Sequence, residues 1–424
     1  MRTIRVAVAG LGVVGRETVR LLRENKEGFA RRLGAPIELA AVCDRQAARE
    51  AKSLGLPASV IRVNDPAALA RLDRLDIIVE VLGGLDAPKK LALDSLRAGR
   101  HVITANKRLI SHCWPELQEA SRRGGGRLSF EGSVAGGIPV VQALDTSFAA
   151  NRIESVYGIL NGTTNYILSA MERGVSAAEA LAQAQGLGFA EKDPSMDVSG
   201  RDTAQKISVL SALLTGTALD PERIAREGIT AIDEQDVAFA RETLGRVPRL
   251  LGALHLHWGP TVRAEASVFP TLVPLDHPLA AVRGEYNAVL IKASAADDLM
   301  FYGKGAGAGP TASAVVGDVF LLSRDLLGGL PPRQAPSLRV EALPIARVTS
   351  CFYMRLAAKD KPGVLAAITA ALARERISIA TIHQSQRSKA GAVPVILTTH
   401  PCETGAFERA RRRIGGAVAV MRML

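Results

Sequence analysis

IRVAVAGLGVVGRETVRLLREN, residues 4–25, decides the fold of the first third of the chain. Its apolar beginning is typical of a buried strand, and apolar residues at helical spacing follow the glycines. A G-x-G-x-x-G motif between a strand and a helix favours dinucleotide binding, because the helix N-terminus presents free N–H groups to the pyrophosphate. A plain glycine turn is the alternative. The residues predicted to contact the dinucleotide are Gly10, Gly12, Val13, Val14 and Gly15.

The next strand, IELAAVCD (37–44), ends beside the residues that select the nucleotide. An acid at this position holds the ribose 2′-hydroxyl of NAD, whereas an arginine accepts the 2′-phosphate of NADP. The chain has Asp44 and Arg45 side by side. The sequence therefore predicts Arg45 as a cofactor contact and leaves the choice between NAD and NADP open.

Two further strands, DIIVEVLGG (76–84) and RHVITANK (100–107), alternate with helical patterns. This alternation predicts a parallel sheet covered by helices on both faces. Ligands of such sheets bind at the carboxyl ends of the strands, and Lys107 lies at one of these ends. Lys107 is therefore a candidate site residue, with an exposed loop lysine as the alternative.

Length and composition narrow the class of protein. A chain of 424 residues with 47% hydrophobic content predicts two to four domains. The net charge of +11 is spread along the chain, and the densest basic run, RARRRI at 409–414, has little aromatic interleaving for stacking on bases. Four scattered cysteines, the absence of a signal-peptide pattern and the lack of a long apolar run favour a soluble cytoplasmic protein without nucleic-acid or membrane partners.

The acidic segment EKDPSMDVSGRDTAQK (191–206) leads into a helix predicted over 201–215. On this helix Asp202 and Lys206 lie on the same side as the apolar stripe that faces the core. Burial of charges is costly unless they are paired. Carboxylates that converge on one lysine form a suitable pocket for an ammonium-bearing ligand. An ordinary i,i+4 ion pair at the edge of the stripe is the alternative.

Other loops carry weaker signals. Two glycine-rich loops precede helical patterns and are predicted to form turns or to contact ligands. They are EGSVAGGIPVV (131–141) and YGKGAGAG (302–309). In NGTTN (161–165), Thr163 or Thr164 is predicted to cap the following helix. The sequence from Ser176 to Glu179 predicts a capping box.

The sequence predicts a separate module in the last quarter of the chain. The proline-rich stretch 328–344 is typical of a linker. The patterns that follow predict the ferredoxin-like order βαββαβ, with a turn at Lys389–Gly391. In KDKPG (359–363), Asp360 precedes a helix whose first turn is predicted to include Pro362 and Gly363.

Taken in order, these motifs resemble homoserine dehydrogenases of the bacterial long form over essentially the whole chain. The segment DKPGVLAAI resembles the start of an ACT domain. The resemblance implies an α/β protein with a Rossmann-type dinucleotide-binding domain, an α+β substrate and dimerisation domain and a C-terminal ferredoxin-like ACT domain. The implied boundaries are 1–138 for the NAD(P)-binding domain with a returning segment near 303–328, 139–302 for the substrate and dimerisation domain, 329–349 for a linker and 350–424 for the ACT domain. The motifs are AGLGVVG, TANK, EGSVAGGIP, NGTTNYIL, GFAEKDPSMDVSGRDTAQK and YGKGAGAGPTASAV.

The resemblance also implies roles for individual residues. Lys206 matches the family's proton-transfer lysine, Lys107 matches a lysine near the nicotinamide and the substrate, and Asp202 completes the catalytic group. The implied substrate-binding residues are Glu191, Asp197, Asp202 and Gly188. The implied cofactor contacts besides the first glycine loop are Lys107, Gly303 and Gly305, and the implied ligands of Na⁺ are the carbonyls of Glu131, Val134, Gly136 and Ile138.

The implied reaction is the NAD(P)-dependent interconversion of L-homoserine and L-aspartate 4-semialdehyde, at the branch leading to threonine, isoleucine and methionine. The implied partners are an amino-acid effector, threonine first, at the ACT domain, and further copies of the chain in a homodimer or homotetramer. Two alternatives remain from the residues alone. One is a catalytically silent NAD(P)-binding, amino-acid-sensing regulatory protein, and the other is a dehydrogenase of a different small alcohol or semialdehyde.

Overall fold

A computed structural model describes residues 2–331, 336–359, 361–384 and 392–424. The chain forms two compact units. Unit 1 comprises Met1–Arg152, Ser208–Pro221 and Gly303–Arg339, and unit 2 comprises Ile153–Ile207, Glu222–Tyr302 and Val340–Leu424. Across these described stretches, none of the helices is both long and apolar enough to cross a membrane.

Strands and helices alternate in the first 152 residues. The strands are β1 (Ile4–Ala9), β2 (Ile37–Cys43), β3 (Ile61–Val63), β4 (Ile77–Glu80), β5 (His101–Thr104) and β6 (Leu128–Ser129). The helices are α1 (Val13–Glu24), α2 (Lys26–Leu33), α3 (Ala47–Ser53), α4 (Pro66–Ala70), α5 (Asp86–Arg97), α6 (Lys107–Gly124) and α7 (Val140–Gln142).

Unit 1 is built on a parallel sheet with the strand order β3-β2-β1-β4-β5-β6. This is the order of dinucleotide-binding sheets, so the predicted Rossmann-type fold is confirmed. The central strands β1, β2 and β4 are mostly apolar because helices cover both of their faces, with Arg5 in β1, Glu38 in β2 and Glu80 at the end of β4 as the exceptions. In the core, Val6 and Val8 of β1 are fully buried and cluster with Val19 of α1. The short strand β3 was not predicted, because its Ile61 and Arg62 are exposed and give it no apolar pattern.

In the middle of the chain, strands and helices alternate less regularly. Its strands are β7 (Ile153–Ile159), β8 (Ala225–Arg226), β9 (Arg246–His257), β10 (Val262–Pro274), β11 (Tyr286–Ala293) and β12 (Asp297–Lys304). Its helices are α8 (Gly162–Met171), α9 (Ala177–Gly186), α10 (Ser195–Val198), α11 (Arg201–Thr215) and α12 (Glu234–Glu242).

The remaining residues begin with a long helix, α13 (Ala308–Leu327). Val315 and Val319 of α13 join the same core cluster as β1, so this helix completes unit 1. The later strands are β13 (Val340–Ala342), β14 (Thr349–Lys359), β15 (Ile379–Gln384), β16 (Ala392–Thr399), β17 (Cys402–Glu403) and β18 (Ala417–Met423). The later helices are α14 (Val364–Arg374) and α15 (Thr404–Ile414).

Unit 2 contains one mixed sheet with the main strand order β12-β11-β7-β9-β10-β18-β14-β16-β15. Along the chain, strands β14, β15, β16 and β18 and helices α14 and α15 follow the order βαββαβ, so the predicted ferredoxin-like module is confirmed. The sequence did not predict that β10 and β18 pair in parallel, through Thr271 opposite Arg422 and Leu272 opposite Met423. This pairing makes the C-terminal module part of the same sheet as the middle strands.

In the C-terminal quarter, one prediction is wrong and two predicted features lie outside the described residues. Helix α14 begins at Val364, and Pro362 and Gly363 precede it, so their predicted place in its first turn is wrong. The physical reason is that Gly363 has the left-handed φ of 90°, which a helical residue does not adopt. Asp360 and the predicted turn at Lys389–Gly391 lie outside the described residues.

The start of α8 corrects a second prediction. Asn161 caps this helix, since its Oδ1 accepts a hydrogen bond of 2.9 Å from the N–H of Thr164. The prediction that Thr163 or Thr164 caps the helix is wrong, because both threonines already lie within its first turn. Their hydroxyl groups bond instead to the carbonyls of Phe189 and Asn161. The capping box predicted at Ser176 is confirmed at the start of α9.

Candidate active site

Asp202 and Lys206 form one of the buried ion pairs of unit 2. Both lie on α11 one turn apart, and their side chains are 10% and 11% exposed. Lys206 Nζ donates to Asp202 Oδ2 at 2.7 Å and to the carbonyl of Leu160 at 2.5 Å. The ion pair expected from the helical spacing is therefore present, and it lies on the buried side of the helix. Such a pair is stable in the interior only when additional hydrogen bonds satisfy it, as the Leu160 carbonyl does here.

A second acid joins this pair through the side chain of Asn161. Asn161 Nδ2 donates to Asp197 Oδ1 at 2.7 Å and to Asp202 Oδ2 at 2.9 Å. Asp197 lies on α10, Asn161 precedes α8 and Asp202 lies on α11. Three elements therefore supply one network of hydrogen bonds, with the amide nitrogen at its centre.

The network also affects the proton affinity of Asp197. Burial raises the pKa of this carboxyl above its ordinary value, and the neighbouring charge of Asp202 raises it further. Hydrogen bonds from Asn161 and Thr163 and the charge of Lys206 lower the pKa of Asp197. Burial outweighs these contacts, so the pKa of Asp197 stays raised, and the contacts limit how far it rises.

The loop before α10 is largely exposed. Glu191 and Gly188 are both exposed, and Gly188 has the left-handed φ of 77°. Gln185 Nε2 donates to the backbone carbonyl of Glu191 at 3.1 Å. Asp193 caps the turn that follows by accepting from the N–H of Ser195. Hydrogen bonds thus join Asp197, Asp202 and Lys206 in one network, whereas Glu191 is exposed.

The first glycine loop of unit 1 has the geometry that a pyrophosphate requires. Gly12 is the N-cap of α1 and has no side chain to cap this helix, and the first turn of α1 carries no acid. Gly10 has φ of 97°, and a Cβ there would overlap the carbonyl of Val81. A Cβ on Gly15 would overlap the carbonyl of Gly10. The free N–H groups of the helix N-terminus and the 72% exposed Val13 leave this face open for a dinucleotide.

Asp44 and Arg45 follow β2 and have different surroundings. Asp44 Oδ2 accepts from the N–H of Leu11 at 2.9 Å, and its Oδ1 accepts from the N–H of Gln46 at 3.1 Å. Asp44 therefore supports the glycine loop itself. Arg45 is exposed beside it.

Lys107 is the first residue of α6 and is half-buried. Asn106 caps this helix, and its side chain also donates to the carbonyl of Gly84 at 2.8 Å. The buried Glu80 at the end of β4 accepts from Thr104 Oγ1 at 2.6 Å. Thr104 in turn accepts from the N–H of Asn106, so a chain of hydrogen bonds fixes the backbone that carries Lys107.

The two other glycine-rich loops, predicted separately, lie together in unit 1. The N–H of Gly137 donates to the carbonyl of Lys304 at 3.1 Å, and a Cβ on Gly136 would come within 2.5 Å of the Gly305 carbonyl oxygen. Gly303 lies against Ile138, where a Cβ would approach the Ile138 side chain to 3.2 Å. Close backbone approach explains why both loops need glycine.

The loop at 131–138 is also fixed by buried acids. The carboxylate of Glu131 accepts from the N–H groups of Val141 and Gln142, and Asp318 accepts from the N–H of Glu131. Burial raises the pKa of Glu131 to about 7, although the N–H groups lower it. Burial and the charge of Glu131 raise the pKa of Asp318 well above its ordinary value.

Comparison with known proteins decides the family. The family model described as homoserine dehydrogenase, NAD binding domain, matches residues 10–131, the model described as homoserine dehydrogenase matches 139–320, and the ACT domain model matches 353–414. The homoserine dehydrogenase of Mycobacterium tuberculosis is 39% identical over 425 residues, which cover 99% of this chain and 91% of the relative. The chain belongs to the homoserine dehydrogenase family.

Further members of the homoserine dehydrogenase family are similar to nearly the whole chain. The enzyme of Neisseria gonorrhoeae is 38% identical over 408 residues, which cover 94% of this chain and 92% of the relative. The crystal structure of a homoserine dehydrogenase from Thiobacillus denitrificans superposes with a TM-score of 0.89 at 36% identity, covering 100% of this chain and 99% of the other. The S. aureus homoserine dehydrogenase at pH 6.5 gives a TM-score of 0.78 at 30% identity, with the same coverage.

Membership of the homoserine dehydrogenase family makes the chain an oxidoreductase that acts on a CH–OH group, with a domain for a nicotinamide cofactor and a C-terminal ACT domain. It favours the enzyme over the silent regulatory protein. Reasoning from the sequence assigned no role to Asn161, Glu80 or Asp318. Burial of an acid at the end of an apolar strand was a usable signal for Glu80, whereas the roles of Asn161 and Asp318 depend on contacts between distant segments.

Proposed function

We propose that the chain interconverts L-homoserine and L-aspartate 4-semialdehyde and that Lys206 transfers the proton of this reaction. The observation that carries the proposal is the buried Asp202–Lys206 pair, joined to Asp197 through Asn161. The carboxylates supply negative charge for the ammonium group of homoserine, and the lysine supplies a proton donor and acceptor beside them. Glu191 and Gly188 are assigned to the outer side of the same substrate site.

Oxidation of the alcohol removes a hydride from its carbon and a proton from its oxygen. The nicotinamide cofactor, when bound, supplies the hydride chemistry, and the protein supplies placement and proton transfer. A lysine ammonium has three N–H donors, of which two bond to Asp202 and the Leu160 carbonyl. We assign the third to the substrate oxygen, so that the Lys206 ammonium protonates the forming alcohol in the reducing direction. In the oxidising direction the neutral amine of Lys206 accepts the proton of the alcohol and becomes the ammonium. Lys107, the other proposed catalytic lysine, is assigned to a place near the nicotinamide.

A steady-state assay of the purified chain with L-homoserine and either NAD⁺ or NADP⁺ tests the function. We expect turnover with L-homoserine and little turnover with 4-hydroxybutyrate, which has the same alcohol and carboxylate but lacks the ammonium group. Absence of turnover with both nucleotides, in either direction, would support the silent regulatory protein. Equal turnover of the two alcohols would support a dehydrogenase of a different small alcohol.

The contacts to the cofactor are proposed for the first glycine loop, for Arg45 and Lys107, and for Gly303 and Gly305. The support is the uncapped N-terminus of α1 and the close approach of the two later glycine loops. NADP is the proposed preference, because the Asp44 carboxylate already accepts two backbone N–H groups whereas Arg45 is exposed.

Replacing Arg45 with alanine tests this preference. A charge-assisted hydrogen bond contributes about 1.5–3 kcal/mol, so we expect the KM for NADP⁺ to rise about 10- to 100-fold and that for NAD⁺ to change little. Arg49→Ala, a nearby exposed arginine that bonds to Gln46, is the control. If Arg45→Ala weakens both nucleotides equally, Arg45 does not recognise the 2′-phosphate.

Replacing the proposed substrate acids, as Glu191→Gln or Asp202→Asn, should weaken the use of homoserine. We expect kcat/KM for homoserine to fall about 10- to 100-fold, because each change removes a charge-assisted contact. The Kd of the nucleotide, measured by fluorescence titration, should stay near that of the wild type. Asp193→Asn is the matched control, since Asp193 is an exposed acid of the same loop whose role as a turn cap asparagine can fill. Unchanged kinetics in both variants would mean that the acidic cluster is structural.

A Na⁺ site is proposed at the carbonyls of Glu131, Val134, Gly136 and Ile138. Carbonyl oxygens are ligands that hard cations accept. The loop that carries them is held on both sides, by Asp318 at Glu131 and by Lys304 at Gly137. A bound cation would hold this loop in place and would take no part in the proton transfer.

Regulation by an amino acid is proposed for the ACT domain, with threonine as the first candidate effector. The first turn of α14 carries no acid, and Gly363 before it leaves space for a carboxylate near the N–H groups. Placement of the enzyme in the pathway to threonine, isoleucine and methionine, and assembly as a homodimer or homotetramer, belong to the same proposal. Titrating the activity with these three amino acids tests the effector.

A further inference from the structure

The side chain of Asn161 makes bonds in two directions. Its Oδ1 accepts from the N–H of Thr164 and caps α8, and its Nδ2 donates to both Asp197 and Asp202. The orientation of the amide follows from the chemistry, because only its oxygen can accept from an N–H group and only its nitrogen can donate to carboxylates. Asn161 is itself buried, at 6% exposure.

The hydrogen bonds from Asn161 Nδ2 offset the repulsion between the carboxylates of Asp197 and Asp202. Oxygens of Asp197 and Asp202 lie 2.7 and 2.9 Å from the same nitrogen, Asn161 Nδ2, so the two negative charges are close together. Two carboxylates so close repel each other, and the repulsion favours protonation or separation of one of them. The N–H groups of the amide stabilise both ionised carboxylates in place. Asp202 is also the carboxylate that binds Lys206, so the position of the lysine depends on the same bridge.

We propose that Asn161 is a positioning residue for proton transfer, which holds Asp197 and Asp202 so that Asp202 orients the Lys206 ammonium toward the substrate oxygen. It acts through these side chains and does not contact the reacting atoms. The inference rests on the proposed role of Lys206 and adds a residue to which neither the motifs nor the resemblance assigned a function.

The two roles of Asn161 can be separated by substitution. Serine and aspartate are as effective as asparagine at capping a helix, because each supplies an acceptor oxygen to the first turn. Neither can donate the two N–H groups that Asn161 gives to the acids. Asn161→Ser and Asn161→Asp therefore keep the cap of α8 and remove the bridge, and aspartate adds a further negative charge. Ser176→Ala, which removes the cap of α9 in the same unit, is the control for loss of capping alone.

We expect both Asn161 variants to fold and to lose about 10- to 100-fold in kcat, the effect of removing hydrogen bonds to charged groups. Ser176→Ala should keep the kinetics of the wild type. Circular dichroism and the thermal midpoint establish folding of each variant. Folded Asn161→Ser and Asn161→Asp with wild-type kcat would overturn the proposal.

The pH profile of kcat/KM gives a readout that a purely structural cap would not move. Asp197 is faced by Asn161 and Thr163 from the start of α8 and by Asp202 and Lys206 from α11. The Asn161 amide stabilises the ionised form of Asp197, so its removal raises the proton affinity of that carboxylate. The acid limb of the profile should therefore move to higher pH, by about one unit in Asn161→Ser. It should move further in Asn161→Asp, because of the added negative charge.

A double-mutant cycle separates this proposal from the function on which it rests. If Asn161 acts through Asp202, then Asn161→Ser should have little further effect on kcat in the Asp202→Asn background. Fully additive effects would overturn the proposal while leaving the function intact. A wild-type chain that does not turn over homoserine, or a Lys206→Ala variant with full activity, would instead contradict the proposed function.

Discussion

Replacing Lys206 with alanine should lower kcat by at least about 100-fold, which is the usual contribution of a positioned general acid or base. The reason is that Lys206 is the buried cation of the site, bonded to Asp202 and to the Leu160 carbonyl. Removal of its side chain leaves the forming alkoxide without a proton donor. The measurement is a steady-state assay in both directions under saturating nucleotide.

The controls for Lys206→Ala separate catalysis from binding and folding. Lys192→Ala, an exposed lysine in the same acidic segment, should keep the activity of the wild type. The Kd of NADP(H) should change little, because the glycine loop that is proposed to bind it belongs to unit 1. Turnover of Lys206→Ala near the wild-type level would contradict the assignment of the proton to this lysine.

The Asp202–Lys206 pair could be predicted from the sequence because all of the information is local. Four residues separate the two on one helix, and the apolar residues that follow show which face is buried. Asn161 could not be predicted in the same way, since its partners Asp197 and Asp202 lie 36 and 41 residues away in the chain. The predicted threonine caps failed for a related reason: NGTTN contains three residue types able to cap, and only the backbone conformation selects one.

The sheets of unit 1 and unit 2 also differ in how far the sequence could predict them. Strands β1, β2, β4 and β5 of the unit 1 sheet were predictable, because each is a largely apolar run followed by a helical pattern. The short strands β3 and β6 were not predicted. The parallel pairing of β10 with β18 was not predictable. It joins strands about 150 residues apart through two residue pairs, a contact that leaves no periodic signal in either strand. The sequence therefore predicted the C-terminal module as separate, whereas its strands continue the middle sheet.

A buried ion pair fastens the ACT domain to the rest of unit 2. Arg355 on β14 donates to both carboxylate oxygens of Asp236, at 2.7 and 2.9 Å, and approaches Asp233 at 2.6 Å. Tyr353 on the same strand donates to Asp236 at 2.6 Å. Asp233 caps α12, and Asp236 lies in its first turn and is fully buried. The start of α12 is thus held by the first strand of the ACT domain.

This contact bears on experiments that remove the ACT domain. A truncation near Leu338 deletes Arg355 and Tyr353 together and also exposes the edge of β10 that pairs with β18. Loss of activity in such a chain would therefore reflect the unpaired Asp236 as well as the missing regulatory domain. Point variants of the ion pair distinguish the two causes.

Replacing Arg355 with methionine should lower the free energy of unfolding of the full chain by about 3–5 kcal/mol, the cost of leaving a buried charge without its partner. Asp236 would keep only neutral donors among its described contacts, the Tyr353 hydroxyl and the N–H of Asp233. The double variant Asp236→Leu/Arg355→Met should recover most of this loss, because an apolar pair replaces the ion pair without leaving a charge. Urea unfolding followed by circular dichroism measures the change, with Arg374→Met, an exposed arginine of α14, as the control. A loss below about 1 kcal/mol, the range of an exposed pair, would mean that the ACT domain is fastened by its sheet pairing and not by this ion pair.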